Sequence, residues 1–187
     1  EKVGVEKRDI LVGRVENAKE SQEDAQEQFS SALEAFSAAV AFDGGELEEV
    51  YDRLNGQYED SVAASEEVSA RIDKVESVAE ALFDEWSEEL DKYENASLKR
   101  DSAAKLRETQ RRYTSLMKAM RKAESKMPPV LNALQDNVLY LKHNLNASAI
   151  GALQGELSTI ENNVAQLIGQ MNSAIAESDA FIASMKN

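Results

Sequence analysis

Cysteine is absent from this chain of 187 residues. Its absence excludes disulfides, thiolate metal sites and cysteine nucleophiles within the sequence, and leaves the redox compartment open. Proline occurs twice and glycine eight times, too few to punctuate a protein of short strands and turns. Ala, Glu, Leu, Ser and Lys dominate instead, a composition that favours long helices. There is one histidine, His143. A di-iron bundle needs Glu-x-x-His pairs on two helices, and the residue three before His143 is Tyr140, so that site is excluded. His143 lies between Lys142 and Asn144, off the apolar seam, and reads as an exposed or locally bonded imidazole. No apolar run reaches the roughly 18 residues a bilayer crossing requires. Phosphate-binding glycine loops and Gly-x-Ser-x-Gly elbows are also missing. No signal peptide is visible, and a start at Glu1-Lys2-Val3 without Met predicts a trimmed leader.

What is present in excess is negative charge. The net charge of −14 argues against a nucleic-acid binder. The charge is segregated: residues 1–95 carry net −18, residues 96–187 net +4, and residues 98–126 alone net +7. A hydrophobic fraction of 42% is ordinary and argues against disorder, even with 30% charged residues.

Apolar residues recur at alternating spacings of four and three, the signature of helices packed along a seam. The first helix is predicted over about residues 6–42, with Leu11, Val15, Ala18, Gln22, Ala25, Phe29, Ala32, Phe36 and Ala39 facing inward and Leu33 and Val40 widening the seam. It should end at Asp43-Gly44-Gly45, with Asp43 capping the next helix. The second spans about 46–94, through Leu54, Tyr58, Ser61, Ser65, Val68, Ile72, Val75, Ala79, Leu82, Trp86 and Tyr93, with Glu89 interrupting the seam. The third spans about 97–145 and continues its register through Pro128-Pro129, where a kink or a one-turn break is expected. Leu131, Val138, Leu139, Tyr140 and Leu145 widen its second half, which should therefore be enclosed on more sides than the first. The fourth, about 148–186, keeps its register from Ile150 to Met185. Asn95 or Ser97 and Asn146 or Ser148 are candidate caps, and Asn95-Ala96-Ser97 also fits the weak N-glycosylation pattern.

Short connections force antiparallel neighbours. The expected fold is a single all-α domain over residues 1–187: an elongated antiparallel four-helix up-down-up-down bundle with coiled-coil packing. A three-helix coiled coil reversing at Pro128-Pro129 is the alternative, disfavoured by the continuous seam.

Three features bear on function. The acidic run Glu80, Asp84, Glu85, Glu88, Glu89, Asp91 and Glu94 lacks the turn and backbone ligands of a calcium loop, and reads as a solvated face. The basic run Lys99, Arg100, Lys105, Arg107, Arg111, Arg112, Lys118, Arg121 and Lys122 pairs with it if helices two and three form a hairpin; otherwise it is a site for an external anion. Ala147, Gly151 and Gly155 form a row of small residues, read either as tolerated glycine or as a homodimer contact.

Several stretches carry a family resemblance: EKVGVEKRDILVGRVE (1–16), SQEDAQEQFSSALEAF (21–36), FDGGE (42–46) and DNVLYLKHNLNASAIGALQGEL (136–157). They resemble a bacterial family known only as a domain of unknown function, whose members are helical, coiled-coil-rich envelope proteins with a lipoprotein signal. The resemblance covers nearly the whole chain. It implies a periplasmic protein tethered to a membrane by an N-terminal lipid upstream of Glu1, and it brings no functional residues with it.

The expected function is a non-enzymatic structural or interaction protein without a cofactor, docking to a protein partner or a membrane surface through its helical rod. The alternative is a small-molecule or metal-binding bundle with its site in the core around Val138 to Tyr140, lined by polar seam residues such as Gln22, Ser61 and Ser65. Helices two and three exceed the outer pair in predicted length. Residues from Phe83 to about Leu106 should therefore project as a two-helix tip with both chain termini at its base. The candidate contact residues are Phe83, Trp86, Leu90, Tyr93, Leu98, Lys99, Arg100 and Lys105.

Overall fold

The computed structural model describes residues 2–42 and 44–186, with side chains from residue 5 onward. Its elements are α1 (Lys2–Val40), α2 (Leu47–Leu90), α3 (Ala96–Ser125), α4 (Met127–His143) and α5 (Ala147–Lys186). Lys126 alone separates α3 from α4, so the chain makes four helices, the third of them interrupted; no strand occurs among the described residues. At 1.5 Å per residue, the 44 residues of α2 extend about 66 Å.

The seam residues explain why these segments are helices and how they pack. All nine seam positions of α1 from Leu11 to Ala39 are buried, and so are Val68, Ile72, Val75 and Ala79 on α2. On α5, Ile160, Leu167, Met171 and Ala174 are fully enclosed. α1 packs against α2 and α5, and those two pack in turn against both α3 and α4. Among the described residues no contact joins α1 to α3 or α4, or α2 to α5, which are the two diagonals of a four-helix bundle. Side chains link residues 7 to 85, 28 to 57, 19 to 179 and 26 to 172 across helix pairs.

The turns follow local chemistry. Gly45 takes φ 124°, a left-handed conformation that glycine tolerates, and a Cβ there would meet the Phe42 ring at 3.4 Å. Asp43, the expected cap of α2, lies outside the described residues; Glu46 occupies the cap position without a side-chain hydrogen bond. Asn95 caps α3, its Oδ1 accepting from the Leu98 N–H at 3.0 Å. Asn146 caps α5, accepting from the Ser148 and Ala149 N–H groups at 3.1 and 3.3 Å. At the expected kink the helix breaks at Lys126, and the prolines take the first turn of α4, where a missing N–H costs nothing. Burial continues through Met120, Ala123, Met127, Val130 and Leu134, so the break leaves the register intact.

One expectation about the core is corrected. Leu139, Tyr140 and Leu145 do not enclose the second half of the third helix: they are 49%, 44% and 46% exposed. Among the described residues α4 packs only against α2, α5 and the adjoining α3, and no further helix covers these side chains. The seam position between Leu134 and Leu141 is filled instead by Asn137, buried with its Nδ2 donating to the Ala133 carbonyl at 2.7 Å, and by Val138.

Candidate contact surface

The projecting end of the α2–α3 hairpin is shorter and better covered than expected. Phe83 is buried, its ring set edge-to-face on Tyr113 with centroids 5.4 Å apart. Trp86 is half-buried, and its indole N–H donates to Ser102 Oγ at 2.8 Å, tying the two helices together at the root of the tip. The physical reason is that α1 begins at Lys2 rather than near residue 6 and runs further beside α2. Lys7 pairs with Glu85, and Arg8 Nη2 donates to the Met185 carbonyl at 2.9 Å, which places the start of α1 beside the end of α5.

Beyond that collar every residue from 91 to 101 is exposed. Tyr93 at 40% and Leu98 at 57% are the apolar side chains left in water there, with Lys99, Arg100 and Lys105 exposed beside them and Leu90 half-buried. An open groove of about 570 Å³ runs under the tip between α1 and α2, lined by Val5, Arg8, Leu82, Trp86, Lys92 and Tyr93 together with Glu85 and Glu89. Val5 and Arg8 were not among the expected contact residues.

The basic run and the acidic run are matched only in part. Arg121 bridges Asp73 at 2.9 Å, Glu76 at 2.5 Å and Glu124 at 3.1 Å. Burial opposes its charge, but the hydrogen bonds to Glu76, Asp73 and Glu124 outweigh burial and raise the pKa of the guanidinium. Lys99 reaches Asp91 at 4.0 Å. The remaining pairs differ from the expected hairpin complementarity. Glu85 turns to Lys7 on α1, Lys105 pairs with Asp101 within α3, and Arg111 and Arg112 both hold Glu108. The Arg112 hydrogen bond and the Arg111 charge depress the Glu108 pKa. Pairs at spacings of three and four along one helix form at short range, whereas cross-helix pairs need two long side chains to meet. Burial, with the nearby charges of Glu76 and Glu80, pushes the Tyr113 phenol up to about 12, against a smaller lowering effect of Arg121.

Among the described residues no group of three or more His, Asp or Glu side chains could hold a metal ion. The expected core site does not assemble, since Val138 is buried while Leu139 and Tyr140 face solvent. His143 is exposed. Ser61 donates to the Gln57 carbonyl at 2.8 Å, a bond within its own helix. Gln22 is fully buried, and neither atom of its amide has a protein partner. Ala147, Gly151 and Gly155 are exposed, and a Cβ added at either glycine would touch nothing within 4 Å, so no helix of this chain packs closely on that row.

Long helices, a seam-packed core and an uncovered end define a helical-bundle protein. None of the described helices is long and apolar enough to cross a membrane. The chain matches, over residues 1–185, the model of a family described as "Protein of unknown function (DUF2959)", and it belongs to that family. Among curated proteins nothing matches it.

Proposed function

We propose that this chain is a non-enzymatic interaction protein of the bacterial periplasm: an elongated antiparallel up-down-up-down bundle with coiled-coil packing, lipid-tethered, that docks through the end of its rod. The observation that carries the reading is the uncovered stretch 91–101, which leaves Tyr93 and Leu98 in water beside Lys99 and Arg100. Amphipathic aromatics with flexible cations suit a groove or an interface, where one end of the side chain is buried and the other stays wet. The groove between Val5 and Tyr93 offers a concave seat next to that tip. For the topology, the support is that links between residues 7 and 85 and between 28 and 57 converge along α1 and α2, as antiparallel helices require.

Two experiments test this. Carbodiimide cross-linking should join Lys7 to Glu85 and Lys19 to Asp179, whereas cross-links incompatible with antiparallel neighbours would overturn the topology. A variant with Tyr93→Ser, Leu98→Ser, Arg100→Glu and Lys105→Glu should melt like the parent and lose partner recovery from envelope extracts. Undiminished recovery would make the tip a spacer.

A further inference from the structure

Charge on α3 is arranged with a direction. Arg100, Arg107, Arg111, Lys118 and Lys122 follow one another at spacings of seven and four, which keeps them within an arc of roughly 60° on a helix of 3.6 residues per turn. All five are exposed, and they lie on the side opposite the buried row Leu116, Met120 and Ala123. Arg111 shares Glu108 with Arg112, but Arg100, Arg107, Lys118 and Lys122 have no carboxylate within 4.0 Å among the described residues. Internal pairing therefore leaves most of this row unneutralised. Because burial keeps its register through Lys126, the same row continues onto α4, where it meets Asp136 and then Tyr140.

Apolar exposure sits at the two ends of this edge. Tyr93 and Leu98 are uncovered at the tip before the row, Leu98 on the seam side of α3, and Leu139, Tyr140 and Leu145 after it, with Tyr140 in the row's own arc; together they make five of the seven exposed large hydrophobic residues among those described. From Arg100 to Tyr140 the edge is about 60 Å long at 1.5 Å per residue. It is the convex outside of a helix, suited to lie along a flat face rather than to enclose a peptide. Tyrosines at headgroup level, leucines inserted at the ends and a line of arginines and lysines between them are the chemistry of an anionic bilayer interface. The neighbouring α2, with 14 acidic and 3 basic residues, would be repelled by such a surface and so fixes which edge faces it.

We propose that the outer edge of α3 and α4 lies along an anionic lipid surface, an inference that goes beyond the docking by the tip proposed above. The test is sedimentation of the intact chain with vesicles of phosphatidylglycerol in phosphatidylcholine, and with phosphatidylcholine alone. The parent should bind the first and not the second, and added salt should release it. Reversing Arg107→Glu, Lys118→Glu and Lys122→Glu together should leave the melt unchanged and weaken binding by about fivefold or more per cation, roughly a hundredfold in all. The Leu139→Ser, Tyr140→Ser variant should weaken binding to a smaller extent while keeping its salt dependence. Equal binding by parent and triple variant, or no binding by the parent at low salt, overturns the inference. If tip-dependent partner recovery persists in that case, the docking function stands and only the lipid assignment falls. If the basic row captures an acidic protein but not the vesicles, the occupant is a protein and this inference is wrong.

Discussion

The body of the bundle and its tip are built from the same kinds of residue and end in different environments. In the body, Phe29, Phe36 and Leu116 are buried on helices with neighbours on two sides. At the tip, Tyr93 and Leu98 follow the same helices past the ends of α1 and α5 and remain 40% and 57% exposed. The difference is the number of helices present at each level. A seam pattern specifies which face could be buried, but the neighbours decide whether it is.

The sharpest way to break this comparison is to place a charge in each region. Ile160→Asp puts an unpaired carboxylate at a fully enclosed site and should abolish cooperative folding, a loss above about 4 kcal/mol, read by thermal and urea melts. Leu157→Asp, one turn away but only half-buried, should destabilise measurably and still fold. A melt of Ile160→Asp near that of the parent would refute the burial of this face.

Truncation gives the next largest contrast. Phe29→Ala should cost about 3–5 kcal/mol through lost burial and a residual cavity, whereas Leu98→Ala should change stability by less than about 0.5 kcal/mol. Equal losses would mean that the tip is covered. Within the body, Gln22→Leu should stabilise by about 1–3 kcal/mol, because it replaces an amide without protein partners by an apolar side chain. A loss of stability would show that the amide is satisfied by something it retains in solution.

A smaller effect depends on pH. The Tyr113 phenol, raised from 10.0 to about 12, keeps its proton more tightly in the folded chain than in the unfolded one. Its contribution is complete below pH 10.0 and disappears as pH rises through about 12, so stability should fall across that window and Tyr113→Phe should flatten the fall. At the smallest end, His143→Ala at an exposed site should leave the melt within about 0.5 kcal/mol of the parent.

Much of the architecture was legible because the seam spacing is regular over long helices. The α1 seam is buried at every expected position, including Gln22, where register overrode polarity. Two kinds of residue were not legible. Asn137 and Ser21 occupy the core because each satisfies itself on a backbone carbonyl of its own helix, a local bond that an apolar pattern does not register. Leu139, Tyr140 and Leu145 were expected inside because they are apolar, and they lie outside because nothing packs there. At the tip, Phe83 was misplaced by one missing turn at the start of α1. Apart from Lys99 with Asp91, the basic run pairs elsewhere than expected, since exposed ion pairs form with whatever is nearest and carry little positional information.

The interruption at Lys126 has a mechanical consequence. Pro128 and Pro129 cannot donate the N–H groups that would ordinarily clamp the carbonyls of Glu124 and Ser125, and the Lys126 N–H turns instead to the Ala123 carbonyl at 3.1 Å and toward that of Glu124. The helices beside this joint, α2 and α5, run past it unbroken. Two stiff rods flanking one jointed rod bend most easily toward or away from the jointed side, so the α3–α4 edge has a built-in flexing direction. An edge of that kind can follow a curved surface without unwinding a turn.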